Sequence, residues 1–333
     1  MSKQYEIYGM GNALVDFEIE TSVDTLKLHN IDKGIMTLID EDRHHELYDH
    51  FSGQSHSRAC GGSAANTILG AQMLGSQNYY SCLVANDETG MFYKQDLLAK
   101  GVDSNLNNEL LPAGLTGKCL VFITDDADRT MNTFLGITGD ISYRQIDESA
   151  LLNSKFLYVE GYLAGSPIAS EGAVETMKFA KDNAIKTAFS LSDPNMVRFC
   201  RDGLQAMIGD GVDYLFCNQD EAFDYTSTDN LADAILSLSK ICNTLIITLG
   251  STGSIIVDRG ETIEIPGVTV EAIDTNGAGD LFAGSFLHGL CIGLSLADAG
   301  KLASFASAQL VTQFGPRLSD ENLLIVREFA EGL

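Results

Sequence analysis

The densest chemistry in this chain lies in Asp274-Thr275-Asn276-Gly277-Ala278-Gly279-Asp280. The alternating run Ile263, Ile265, Val268, Val270 ahead of it reads as a strand. Behind it, Leu281, Phe282, Phe286, Leu287 and Leu290 have helical apolar spacing. A glycine-rich turn therefore opens a helix. Small residues let the backbone N–H groups of Gly277, Ala278 and Gly279 converge on one point. Together with the positive end of the helix dipole, they make an anion site. Asp280 stands just inside the same helix, where its carboxylate would repel a resting phosphate. It makes sense as a general base that takes a proton from a hydroxyl while the N–H groups hold the charge of a transferring phosphoryl group. Taken alone, the stretch also suits an ordinary Asn-Gly turn followed by an acid that the dipole favours.

A second glycine site lies at Cys60-Gly61-Gly62-Ser63-Ala64-Ala65-Asn66. Ser63 is the expected N-cap, and Ile68, Leu69, Ala71, Met73 and Leu74 give the following helix an apolar face. Asn66 falls in the first turn, able to hydrogen-bond a molecule resting on Gly61-Gly62. A plain loop-to-helix junction has the same look.

These two segments, in this order, resemble the two signatures of the ribokinase-like (PfkB) carbohydrate kinases. The resemblance runs from the opening strand to Ser319. The long spacing between Asp16 and Gly61, and the form Gly-Gly-Ser-Ala-Ala-Asn, resemble the adenosine kinase branch most. The implied fold is a ribokinase-like three-layer α/β/α sandwich with a mostly parallel central sheet and a small β-sheet lid. The implied reaction transfers the γ-phosphoryl group of ATP, with Mg2+, to a hydroxymethyl group. A nucleoside acceptor is favoured, adenosine at its 5′-hydroxyl. A sugar of the ribokinase, fructokinase or 2-keto-3-deoxygluconate kinase type is the alternative. A non-catalytic nucleoside sensor is the reading from another class, and loss of Asp280 or of the turn glycines would have favoured it.

The resemblance also assigns residues. Asn12 and Asp16, with Gly61, Gly62 and Asn66, would hold the acceptor. Asn218, Thr248, Gly250, Gly253 and Asn276 would lie along ATP, and Glu221 would orient Mg2+ through water. Arg129 would swing down onto the transferring phosphate as the lid closes. Asp274, Gly315 and Ser319 fall in the region that binds a monovalent cation, K+, in some relatives, although Pro316 and Arg317 depart from the ribokinase pattern.

The residues have their own readings beside these. A carboxylate such as Asp16 is the best acceptor for two vicinal hydroxyls. Asn218-Gln219-Asp220-Glu221 follows a buried strand, and ligand sites in open parallel sheets lie at the carboxyl ends of strands. The same four residues also read as a helix N-terminus with stabilising acids. The stretch 248–253 suits close approach of phosphate or a hairpin turn into 254–257. Arg129, whose fork of donors fits phosphate oxygens, also reads as a surface arginine paired with Asp125, Asp126 or Asp128.

Composition narrows the field. The chain has 333 residues, 45% of them hydrophobic, as in a globular protein with one large domain and a smaller appendage. A net charge of −25 argues against nucleic-acid or anionic-membrane partners. The seven cysteines lack a CxxC pair and read as thiols in a reducing compartment, and Cys82, Cys119, Cys217 and Cys242 sit in apolar runs. The start of the chain carries no secretion core and no apolar run reaches membrane-spanning length, so a cytoplasmic monomer or homodimer is expected. There is no GxxxxGK[ST], and no GxGxxG follows the first strand, which disfavours Walker-type NTPases and nicotinamide dehydrogenases. The six histidines show no metal spacing, and His44-His45 reads as part of an exposed helical stretch.

The elements that must position these residues follow from periodicity. Strands are expected at 5–10, 79–84, 156–160, 187–190, 214–217 and 244–248, with helices at 88–100, 170–184 and 231–241. Such alternation means a parallel sheet with helices on both faces. Short β-like runs at 16–20, 35–39, 119–123 and 130–136 interrupt it. The expected division is a large nucleotide-binding domain of 1–16, 49–116 and 138–333, with a small β lid of 17–48 and 117–137.

Overall fold

The computed structural model describes residues 3–51, 53, 55–107, 110–125 and 129–333. The chain opens with strands β1 (Tyr5–Met10) and β2 (Leu14–Glu20), helix α1 (Val23–Leu28), β3 (Met36–Leu38), α2 (Glu41–Phe51) and β4 (Ser55–Gly61). It continues through α3 (Ser63–Leu74), β5 (Asn78–Ser81), α4 (Glu88–Ala99), β6 (Asp103–Ser104), β7 (Gly117–Ile123), β8 (Arg129–Phe134) and α5 (Glu148–Leu152). Then come β9 (Ser154–Glu160), α6 (Pro167–Asp182), β10 (Lys186–Ser190), α7 (Pro194–Phe199), α8 (Arg201–Ile208), β11 (Val212–Asn218), α9 (Gln219–Thr226) and α10 (Leu231–Leu238). The last part holds β12 (Cys242–Thr248), β13 (Gly253–Asp258), β14 (Glu261–Pro266), α11 (Ala278–Cys291), α12 (Leu296–Leu310) and α13 (Asp320–Glu331).

The large sheet has nine strands in the order β14-β13-β12-β11-β10-β9-β1-β5-β6. The seven from β6 to β12 run parallel, and the β13–β14 hairpin adds an antiparallel edge. Period-2 alternation sends side chains to both faces. Ile7, Tyr158, Phe216 and Ile246 pack one way, under α3, α4, α11 and α12. Tyr8, Val159, Leu215 and Ile247 pack the other way, under α5, α6, α8 and α10. This is the three-layer α/β/α sandwich expected from the sequence. β1 is flanked by β9 on one side and β5 on the other, so the order reverses there. Parallel sheets bind ligands at such a switch point.

The small sheet has five strands in the order β3-β8-β7-β2-β4. Its register aligns Leu38, Thr133, Cys119, Asp16 and Ala59 in one row. Odd and even positions part company: Asp16 faces the pocket, while Val15, Phe17 and Ile19 face Leu26 of α1 and Leu47 and Phe51 of α2. Those two helices cover that face, and its side chains are continuous with the core on one side of the large sheet. The sheet takes β4 from 55–61, a segment the sequence placed with the large body, because β4 pairs antiparallel with β2 from Leu14 to Ile19. His44 is not exposed: it is 1% accessible and lies 5.2 Å from the Phe134 ring at 19°.

Candidate active site

A cavity of about 350 Å3 opens where the carboxyl ends of β1, β9, β10, β11 and β12 meet the small sheet and the N-terminus of α11. Twelve of the site residues assigned in the sequence line it: Asn12, Asp16, Gly62, Asn66, Asn218, Glu221, Thr248, Asn276, Gly277, Ala278, Gly279 and Asp280. Gly61, Arg129, Gly250, Gly253, Asp274, Gly315 and Ser319 lie behind or beside it.

The α11 turn is built as its sequence demands. Gly277 is the N-cap at φ 74°, a left-handed backbone that side chains disfavour, and a Cβ there would stand 2.7 Å from Pro316. The N–H of Ala278 turns back to the Thr275 carbonyl at 3.3 Å. Ala278 therefore contributes less to the anion site than the sequence suggested. The strand ahead of the motif also stops earlier than expected, at Pro266, so 267–277 forms a connecting loop.

Asp280 is held from two sides. Ser63 donates its hydroxyl to Oδ1 at 2.6 Å, and Asn66 donates from Nδ2 to Oδ2 at 3.1 Å. Burial pushes its pKa up to about 6, partly offset by these two donors. Ser63 is thus not the N-cap of α3; Gly62, at φ 99°, occupies that place. The serine hydroxyl is committed to Asp280 instead.

Asp16 points from β2 into the cavity. Gly61 carries no side chain because a Cβ there would meet the Asp16 carboxylate at 2.3 Å. Burial and Glu18 raise the Asp16 pKa to about 7, while Arg317 and Arg129 pull it down. The side-chain oxygens of Asn12 and Asn66 are buried and meet no protein donor. Buried polar atoms are normally satisfied, so both are acceptors set for a ligand donor such as a hydroxyl.

Glu160, at the end of β9, was missed in the sequence. It is fully buried, and it accepts from the Asn12 N–H at 2.7 Å and the Ala64 N–H at 2.6 Å. It ties the loop after β1 to the start of α3, so both acceptor-binding segments hang on one carboxylate. Burial raises its pKa to about 7. The available signal was a charge ending an apolar parallel strand, the position where sites form.

On the opposite wall, Asn218 and Glu221 form a capping box at the start of α9. Asn218 Oδ1 accepts from the Glu221 N–H at 2.8 Å, and Glu221 accepts from the Asn218 N–H at 3.1 Å and from Nδ2 at 2.7 Å. The helix-start reading and the site reading hold together. Burial pushes Glu221 up to about 8. Among the described residues no three acidic, histidine or cysteine side chains stand close enough to hold a metal ion by themselves; Glu221 is a single carboxylate of the kind that suits Mg2+, which keeps most of its waters. Thr248 reaches the cavity, whereas Gly250 and Gly253, at φ 59° and 112°, shape the β12–β13 hairpin beside it.

Arg129 does not stand over the cavity. Its guanidinium pairs with Asp274 and reaches Glu18 Oε1 at 3.4 Å. Of the partners the sequence offered, Asp126 and Asp128 lie outside the described residues. Asp274 also accepts from the Asn276 N–H at 2.9 Å and the Gly315 N–H at 2.7 Å. Ser319 caps α13 through the Asn322 N–H at 3.3 Å. Gly315 turns an N–H, not a carbonyl, to the carboxylate. These residues do not fit a K+ site.

The roof comes from the small sheet and from 162–196. Met36, Leu38, Met131 and Leu135 face Tyr162 and Met196 across the cavity. Phe134 points the other way, onto His44.

The model of the pfkB family carbohydrate kinases matches residues 27–323. The chain belongs to this family. As a pfkB-family kinase it is a phosphotransferase acting on hydroxyl groups. The crystal structure of adenosine kinase from Sinorhizobium meliloti superposes with a TM-score of 0.90 at 32% identity, covering 98% of this chain and 99% of that one. A probable sugar kinase from Rhizobium etli CFN 42 matches with TM-score 0.90 at 31% identity, over 98% of both chains. Adenosine kinase 1 of Arabidopsis thaliana is 24% identical over 93% of this chain and 94% of its own. Among the described residues no helix is long and apolar enough to cross a membrane.

Proposed function

We propose that this pfkB-family kinase transfers the γ-phosphoryl group of ATP to the 5′-hydroxyl of a nucleoside, adenosine, inside a reducing cytoplasm. The observation that carries the reading is the two-sided cavity. Asp280, Asp16 and the unpaired amide oxygens of Asn12 and Asn66 form a floor that takes hydroxyls. The thioether and aliphatic side chains of Met36, Leu38, Met131 and Leu135 form a roof with a large apolar face. A ribose fits the floor and a base fits the roof, and the base gains apolar burial that a bare sugar cannot use.

Asp16 grips the vicinal ribose hydroxyls, and Asn12 and Asn66 accept from the acceptor. Asp280 takes the proton of the attacking hydroxyl. The acceptor oxygen forms its bond to the γ-phosphorus as the bond to the β,γ-bridging oxygen breaks, and ADP leaves. The free N–H groups of the α11 turn stabilise charge on the equatorial oxygens, so positioning and electrostatics supply most of the rate. Glu221 and Asn218 would hold Mg2+ through water, and the ion neutralises phosphate charge.

A sugar acceptor is the second reading, favoured by the likeness to the probable sugar kinase. Coupled ADP release with adenosine, ribose, fructose and 2-keto-3-deoxygluconate separates the two. Adenosine is expected to show the highest kcat/KM. A free sugar that outperforms it overturns the nucleoside reading and leaves the kinase in place.

A further inference from the structure

The loop that precedes the α11 turn is organised around one buried carboxylate. Asp274 is 5% accessible, and the protein supplies three donors to it: the N–H groups of Asn276 and Gly315, and the guanidinium of Arg129. The side chains of this ion pair are 13% and 2% accessible. A charge this deep is tolerated only when it is paired and hydrogen-bonded. Asn276 and Gly277, which line the cavity, follow within three residues, so the place of Asp274 sets the place of the turn.

The arginine comes from elsewhere in the fold. Arg129 opens β8 of the small sheet, 145 residues from Asp274 in sequence. Its second nitrogen reaches Glu18 of β2, in the same sheet. The segment 315–319 is stitched by its own contacts: Arg317 donates to Asp96 at 2.7 Å and to the Cys60 carbonyl at 2.6 Å, and the Ser319 N–H donates to Gln313 at 3.0 Å. The positive charge that an alkali-metal ion would bring to Asp274 is already present as part of the chain.

We infer that Arg129 is the resident cation of the 274–277 loop, and that it couples the small sheet to the phosphate-binding turn in place of a monovalent metal ion. Arg129 is then a positioning residue. It acts on the turn through Asp274, and turnover requires no K+. The inference rests on the kinase reading for its consequence in turnover, but not for its geometry.

The test begins with the unaltered protein, so no variant need fold. Its melting temperature, without nucleotide, is measured in KCl and in choline chloride at equal ionic strength. A bound ion stabilises by mass action, so an occupied K+ site raises the temperature with concentration, whereas a guanidinium-filled one leaves it flat. A flat profile, and equal rates of ADP formation in both salts, is the expected result. A rise of more than about 3 °C, or a several-fold activation by K+, overturns the inference. Arg129→Met keeps the stem and removes the charge. It should lower kcat about tenfold or more with little change in KM, and low-millimolar guanidinium chloride should restore part of the loss. Arg129→Lys should retain more turnover than Arg129→Met. If Arg129→Met works as well as the parent in choline chloride, Arg129 is not the cation of the loop. If no acceptor in the panel is phosphorylated, the function reading fails while the melting comparison still decides the cation.

Discussion

In the proposed reaction Asp280 is the base. It is held by Ser63 and Asn66, and burial raises its pKa to about 6. A base must be unprotonated to work, so kcat/KM should climb through about pH 6 and continue to about 7, where Asp16 also loses its proton. Asp280→Asn preserves size and leaves one oxygen to accept from Ser63, while removing proton acceptance. We expect kcat to fall by at least about 10²-fold with substrate binding near normal, and the acid limb near pH 6 to disappear. A variant that keeps more than half its turnover would remove Asp280 from the chemistry. Ser63 shows why residue type is not residue role. Serine at a helix start reads as a cap, yet the glycine before it adopts the capping backbone and the hydroxyl goes to the base.

At the scale of elements, the proposed choice of acceptor falls to the small sheet. Its pocket face brings Met36 and Leu38 of β3 beside Met131 and Thr133 of β8, a wall without charge. Its other face is buried under α1 and α2, in a core continuous with that of the large sheet. Truncating the wall should therefore cost affinity for a base and little else. Leu38→Ala and Met131→Ala should each raise KM for adenosine several-fold and leave KM for ribose within about twofold, since each removes apolar contact worth about 1–3 kcal/mol. Steady-state kinetics with both acceptors checks this; equal changes for both would mean that the wall does not touch a base. The row Leu38–Thr133–Cys119–Asp16 also explains how a carboxylate and an apolar wall share one surface. They are cross-strand neighbours on one face of one sheet.

The whole molecule concentrates negative charge. Its 46 acidic residues outnumber 21 basic ones, and the cavity gathers Asp16, Glu160, Glu221 and Asp280, all with raised pKa values. The consequence for stability has a definite sign. These groups titrate near pH 4 when unfolded and between about 6 and 8 when folded, so between those values the folded state binds more protons. Their contribution is present at low pH and is lost as pH rises through the folded values. The melting temperature without ligands should therefore fall from pH 5.5 to pH 8. Scanning calorimetry across that range checks it, and a temperature that rises steadily over the same interval would contradict the burial of these carboxyls. Added salt should ease the decline by screening the net charge.

The glycine turn, the aspartate behind it and the alternation of strands and helices were legible in the sequence, because each rests on local physics. A left-handed glycine, a helix N-terminus and the periods 2 and 3.6 are properties of a few neighbouring residues. The family signatures added Asn12, Asp16 and Asn66, which the fold brings to one cavity although they start far from 277–280. Other assignments waited for tertiary structure, since they depend on what arrives from elsewhere in the chain. Glu160 matters because Asn12 and Ala64 converge on it. Gly250 and Gly253 belong to a hairpin because β13 folds back on β12. His44 is buried because Phe134 lies against it, and for that reason Phe134 is turned away from the cavity. Arg129 serves Asp274 because β8 crosses to the loop before α11. Local sequence fixes backbone conformation and the chemistry a side chain carries; which partner satisfies a buried charge is decided only when distant segments compete for it.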